Sequence, residues 1–269
     1  PGGERYDDPA EMAMRIAAAA RETGTGLTLL PVLYVHGGAD GRPLAGAQLR
    51  FGSDADGYLL LLEGARRALD GLDRDAVLGV APHSLRAVDP AEVVRAASLV
   101  PEGPVHIHAA EQEAEVEEIM AAYGCRPVEM LLDLGIDRRW CLVHATQMTE
   151  DEAVAFAKSD AVAGLCPVTE SNLGDGIFEG PAFLGAGGAF GVGSDSNLRV
   201  DLAEELRTLE HSQRLRDRAR ALMASPHVSC GRTLWEGAAR GAAQALGRGT
   251  GALALGEWGD IVTIDADDI

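Results

Sequence analysis

Apolar residues along the chain gather into short unbroken runs, separated by stretches whose apolar positions recur at helical spacing. Runs at 27–35 (LTLLPVLYV), 77–82 (VLGVAP), 104–109 (PVHIHA), 139–144 (RWCLVH), 161–166 (AVAGLC) and 189–194 (AFGVGS) read as strands. Helices are predicted over 9–22, 58–70, 90–98, 111–122, 150–158, 201–223 and 231–245. Their starts carry local chemistry. Pro9 follows Asp8 at a first-turn position, and Asp89 and Thr149 are placed as N-caps. Acids fill the turn after Thr149, where the helix dipole favours them. Polar, Gly-rich loops are expected at 36–57 and after Cys166. The tail ALALGEWGDIVTID (252–265) alternates like a strand pair.

Continuous apolar strands alternating with helices predict a parallel sheet covered by helices, an α/β fold. Two closures are open to it: a doubly wound sheet or a (β/α)8 barrel. Polar residues end many of the strand runs, which favours the barrel, where all active-site loops share one face. A doubly wound nucleotide binder calls for a glycine fingerprint after its first strand. Gly37-Gly38 follow the first run, but no GxGxxG is present. About six strands are visible, against the eight that closure requires.

Composition narrows the picture only modestly. The 269 residues suffice for one large domain, and only 4% are aromatic, so Ala, Gly, Leu and Val must fill the interior. A net charge of -19 argues against nucleic acid and anionic membrane as partners. An anionic ligand would need a local cation to enter. Cys125, Cys141, Cys166 and Cys230 are widely spread and form no CxxC, which fits a reducing cytoplasm and no cysteine metal site. No apolar run is long enough to span a membrane.

Candidate chemistry sits at the strand ends. In HIHAAEQ (106–112), His106 and His108 fall on the same side of a strand, with His108 outermost and Glu111 just beyond. LVHATQ (142–147) ends its strand in His144, and GVGSDS (191–196) ends in Asp195. Imidazole and carboxylate are metal ligands and proton carriers, and a buried carboxylate needs such a partner. Asp195 could instead cap the following helix. His83 and Arg86 lie in PHSLRAV (82–88), where Arg86 fits either a carboxylate clamp or a surface ion pair. Thr169, Glu170, Ser171 and Asn172, in CPVTESNLGDGIF (166–178), are candidates for lining a pocket.

Taken together these strings resemble the amidohydrolase superfamily, and within it the formimidoylglutamate deiminases. His108, His144 and Asp195 fit the superfamily's His on the fifth strand, His on the sixth and Asp on the eighth. His108 to Glu111 is similar to the HxxE of its deaminating branches. LTLLPVLYVHGG, APHSLRAV, VHIHAAEQ, RWCLVHATQ, GLCPVTESNLGDGIF and GVGSDSN carry the narrower resemblance across nearly the whole chain.

The resemblance implies a metal-dependent-hydrolase (β/α)8 TIM-like barrel, N-terminally truncated with about strands 3–8 present. Residues 1–247 would be the incomplete barrel, and 248–269 an incomplete return into a small β-sandwich domain. It implies hydrolytic deimination of N-formimino-L-glutamate to N-formyl-L-glutamate and ammonia. One divalent metal is expected, zinc first among candidates, with His108 and Asp195 as its ligands from this chain. Glu111, His144 and Asp195 would be catalytic: Glu111 as proton shuttle, His144 beside the reacting water, Asp195 orienting it. Arg86 would hold a substrate carboxylate, with His83 nearby. The family's strand-one HxH ligands have no counterpart here, so stoichiometric zinc is not expected on these residues alone. The partner expected is a small anionic substrate, with a homodimer by family analogy alone. Competing readings are another superfamily deaminase acting on a heterocyclic amine, or a non-catalytic fragment.

Overall fold

A computed structural model describes residues 6–72, 76–225 and 227–263. In chain order the first half holds α1 (Glu11–Thr23), β1 (Leu27–Leu29), β2 (Val32–Leu33), a 3-10 turn (Gly46–Arg50), α2 (Ala55–Leu69), β3 (Ala76–Leu78), β4 (Ala81–Pro82) and α3 (Pro90–Leu99). There follow β5 (Val105–Ala109), α4 (Glu113–Tyr123), α5 (Pro127–Asp133), β6 (Trp140–His144), α6 (Glu150–Ala157) and β7 (Val162–Leu165). The last elements are α7 (Pro167–Leu173), α8 (Gly180–Gly185), β8 (Ala189–Val192), α9 (Leu202–Asp217) and α10 (Cys230–Ala245).

All paired strands run parallel. β5, β6, β7 and β8 form one sheet in that order. β1 pairs with β3 and β2 with β4. Bridges Val80–Val105 and Ser84–His108 join these to β5. The result is an arc of six strand runs, β1–β2 and β3–β4 each counting as one, with every carboxyl end on one rim. Among the described residues β1 and β8 are each paired on one side only, so the arc is open.

The expected runs 27–35 and 77–82 are each broken in two. Pro31 has no N–H to donate, although carbonyls of Leu29, Pro31 and Leu33 still accept from Gly79, Ala81 and His83 at 3.0 Å. At Gly79 the chain passes so close to Pro104 that a Cβ would lie 2.9 Å from its Cγ and nearer still to its carbonyl oxygen. The Gly-rich loop after Cys166 carries α7 and α8, and α5 occupies a stretch for which no element was predicted. Both α5 and α7 open on Pro at the first turn, where its fixed φ suits a helix start. The helix expected over 201–223 ends at Asp217, followed by Arg218 at φ 54°. Residues 252–263 form no strand, so the expected strand pair is not made there; 264–265 lie outside the described residues.

Val105, Ile107 and Ala109 are buried in the main core with Ile119, Leu131 and Phe156. His106 and His108 alternate with them and stand on the inner face of the arc. His106 shares that side with His108, as expected, but is committed elsewhere. Its Nε2 donates to the Ala245 carbonyl at 2.7 Å, fastening β5 to the last turn of α10. Alternation fixes the side of a strand but not the depth, and His106 lies two residues deeper.

Candidate active site at the carboxyl rim

Four strand ends bring the predicted residues together. At the end of β4, His83 packs edge-on against Tyr34, with ring centroids 4.5 Å apart, and stacks on His108 at 4.7 Å. His108 in turn faces His144 from β6 at 5.6 Å. The His108 Nδ1–H donates to the His83 carbonyl at 2.8 Å, because a carbonyl can only accept. That bond fixes the ring and leaves Nε2 with its lone pair for a ligand.

Glu111 stands between His144 and Arg86. Its Oε1 is 3.7 Å from His144 Nε2, and its Oε2 is 3.9 Å from Arg86 Nη2. The backbone places it there through a turn: Ala110 takes φ 48°, and the Glu111 N–H donates to Glu115 Oε2 at 2.9 Å. Glu115 is buried, with Oε1 unpaired; the Arg86 Nε is likewise buried without a partner. Burial pushes the Glu115 carboxyl above its usual range, with the Arg86 charge opposing.

His144 is held at Nδ1. Its side chain is 2% exposed, and Nδ1 lies 3.3 Å from Glu170 Oε1. Burial disfavours its protonation, yet the Glu170 hydrogen bond and the charges of Glu111, Glu170 and Asp195 outweigh it and raise its pKa. His108 is shifted the other way, chiefly by burial. His83 is pushed down to about 3 by burial, then by His108 and Arg86, and is a neutral ring at ordinary pH.

Asp195 sits at the end of β8 with φ 53°, exposed, its Oδ1 accepting the Ser196 N–H at 2.6 Å. Its charge reaches His108 and His144, but no direct hydrogen bond joins it to either. The alternative role as a helix cap is filled by Asp201, which accepts the Glu204 N–H at 3.0 Å. Ala110, His144, Ala145 and Asp195 all have φ between 48° and 69°. Left-handed backbone at non-glycine residues is strained, about 1–3 kcal/mol each, and gathers where side chains must be aimed.

Sequence reasoning missed several supports. Glu170, expected only to line a pocket, is the partner of His144. Asp175 accepts from Gln112 Nε2 at 2.8 Å through its side chain and from Gln147 Nε2 through its carbonyl. The glutamines closing HIHAAEQ and LVHATQ therefore tie two rim loops to a third. Thr169 is bonded to Asn197 at 3.3 Å and to the Ser194 carbonyl at 3.5 Å, anchoring the Asp195 loop. For Glu170 the available signal was a carboxylate soon after a strand end, as with Glu111.

The donor set fits part of a metal centre. His108 offers a free Nε2, and Asp195 a carboxylate with one oxygen uncommitted. Imidazole with carboxylate suits zinc. Among the described residues, however, no three His, Cys, Asp or Glu side chains draw together as a metal cage.

The sequence profile of the amidohydrolase family matches residues 52–269. The chain is 47% identical to the formimidoylglutamate deiminase of Pseudomonas aeruginosa over 99% of its length, covering 59% of that protein. A solved amidohydrolase from Brucella melitensis superposes with a TM-score of 0.89 and 52% identity, over 91% of this chain and 55% of that one. An adenosine deaminase from Xanthomonas campestris, solved with bound zinc, gives a TM-score of 0.73 at 26% identity, over 88% and 51%. The chain thus spans somewhat more than half the length of these relatives.

Proposed function

The chain belongs to the amidohydrolase family, and from that premise we propose that its rim site deiminates N-formimino-L-glutamate to N-formyl-L-glutamate and ammonia. One divalent metal, zinc, would be held in part by His108 and Asp195. The observation that carries the reading is Glu111 standing between His144 and Arg86 at 3.7 and 3.9 Å. The likeness to the Pseudomonas deiminase supports the substrate, and the zinc in the Xanthomonas deaminase supports the metal. Residues 1–247 would form the barrel part and 248–269 a lead into a second small domain. Four cysteines without a disulfide support a reducing compartment, the cytoplasm.

The metal, when bound, supplies Lewis acidity that makes water nucleophilic near neutral pH. Glu111 takes a proton from the attacking water as the water's oxygen bonds to the formimino carbon. The same carboxyl passes that proton to the C=N nitrogen to give a tetrahedral adduct. It then carries the adduct's hydroxyl proton to that nitrogen as the carbonyl forms, and the C–N bond breaks to release ammonia. Such acid–base transfer is worth about 10²–10⁴ in rate. His144 hydrogen-bonds the attacking oxygen, and Asp195 orients it. Arg86 receives a substrate carboxylate: its fork matches that shape, and its buried Nε awaits an acceptor. In a chain of net charge -19 this cation answers how an anion enters.

Ammonia release by the zinc-supplemented full-length gene product tests the reading. N-formimino-L-glutamate should turn over and adenosine should not. Turnover of adenosine with none of the formimino acid would overturn it.

A further inference from the structure

We propose that Glu170 is the positioning residue of the site, fixing His144 as the tautomer protonated at Nδ1 and so presenting its Nε2 to the reacting centre. The proposal rests on the deiminase reading for its consequence in catalysis, but the tautomer is a property of the chain itself.

Geometry carries the argument. The Glu170 side chain is 5% exposed and that of His144 2%. One oxygen, Oε1, accepts the Cys166 N–H at 2.7 Å and lies 3.3 Å from His144 Nδ1. The first bond locks the carboxylate to the start of α7, whose N-terminal turn is itself pinned: the Val168 N–H donates to the buried Glu205 at 2.9 Å. An ionised carboxylate only accepts, so the hydrogen on that side must come from the imidazole. A free neutral imidazole has no such constraint, and its other tautomer would put the proton on Nε2 and the lone pair on Nδ1, facing the Glu170 carboxylate. On the opposite side, Nε2 faces Glu111 at 3.7 Å. His144 thus sits between a carboxylate that orients it and one that shares its work. Its backbone lies in the left-handed region, at φ 69°.

Selective 15N-histidine labelling of the full-length protein at alkaline pH reads the tautomer directly, with the His144 signals assigned by their loss in His144→Gln. Nδ1 should be protonated in the parent and in Glu170→Gln, whose amide oxygen still accepts. Glu170→Leu should move the proton to Nε2. In parallel, Glu170→Leu should lower kcat by about tenfold or more with KM within about threefold, and Glu170→Gln should recover most of that loss. An unprotonated Nδ1 in the parent, or a Glu170→Leu protein with the parent's tautomer, would overturn the proposal. If Nδ1 is protonated as expected but N-formimino-L-glutamate is not turned over, the substrate reading fails and the assignment of Glu170 stands.

Discussion

Replacing Gly241 with alanine probes the support beneath Asp195. Gly241 lies on the face of α10 that packs on β8, the strand leading to Asp195. A Cβ there would lie 2.8 Å from the Phe190 backbone nitrogen and closer still to its carbonyl carbon and oxygen. Ordinary contact begins near 3.4 Å, and the obstacle is strand backbone, which cannot rotate away. α10 must therefore lift from the sheet. Overpacking costs about 1–3 kcal/mol, and backbone collision belongs at the upper end. Alanine returns up to about 1 kcal/mol of helix propensity. The net is a destabilisation of about 2 kcal/mol. Gly231, on the same helix, has nothing within 4 Å of its Cβ position. There the identical substitution keeps only the propensity gain, so its sign is reversed. Thermal melts should show Gly241→Ala lowered by roughly 4–8 °C and Gly231→Ala unchanged or raised by a few degrees. Equal melting temperatures for the two variants would refute the close packing of α10 on β8.

Three further outcomes follow from the site and core. Arg86→Lys keeps the charge but loses the fork, so KM for N-formimino-L-glutamate should rise about tenfold with a smaller change in kcat; an unmoved KM removes Arg86 from the carboxylate. Burial pushes the Cys141 thiol up to about 12 and raises that of Cys166 as well. A thiol reagent should therefore label the half-buried Cys125 and Cys230 first, and early labelling of Cys141 would contradict its place in the core. His83, pushed down to about 3, stays unprotonated in the fold while the unfolded chain takes up a proton below about 6.5. Its contribution to stability must then rise with pH across that window and level off above it. Denaturant midpoints of His83→Gln should vary less steeply with acid pH than those of the parent, and parallel slopes would count against the shift.

What the chain's pattern disclosed was the arc and its rim. His108, His144 and Asp195 could be read because each ends an apolar run, and Glu111 because it falls three residues beyond His108. The solved amidohydrolase of 52% identity agrees with that reading of the fold. Other features depend on tertiary proximity and leave little trace in one dimension. Helices of six or seven residues, such as α5, α7 and α8, hold too few turns to display a period. Pro31 interrupts a ladder without interrupting the apolar run. Glu170 and Glu115 lie on helices, where carboxylates ordinarily face solvent; only the folded chain brings one to His144 and the other beneath Glu111. His106 shows the converse, a residue with the right side and type whose depth commits it to the Ala245 carbonyl.

The account turns on Glu111 as the group that moves the proton. Glu111→Gln keeps its size and removes its basicity. In the zinc-supplemented full-length gene product, ammonia release from N-formimino-L-glutamate should fall by about 10²–10⁴ relative to the parent, with binding of the substrate retained. A Glu111→Gln protein that releases ammonia at the parent's rate would contradict the assignment of this rim as a hydrolytic site.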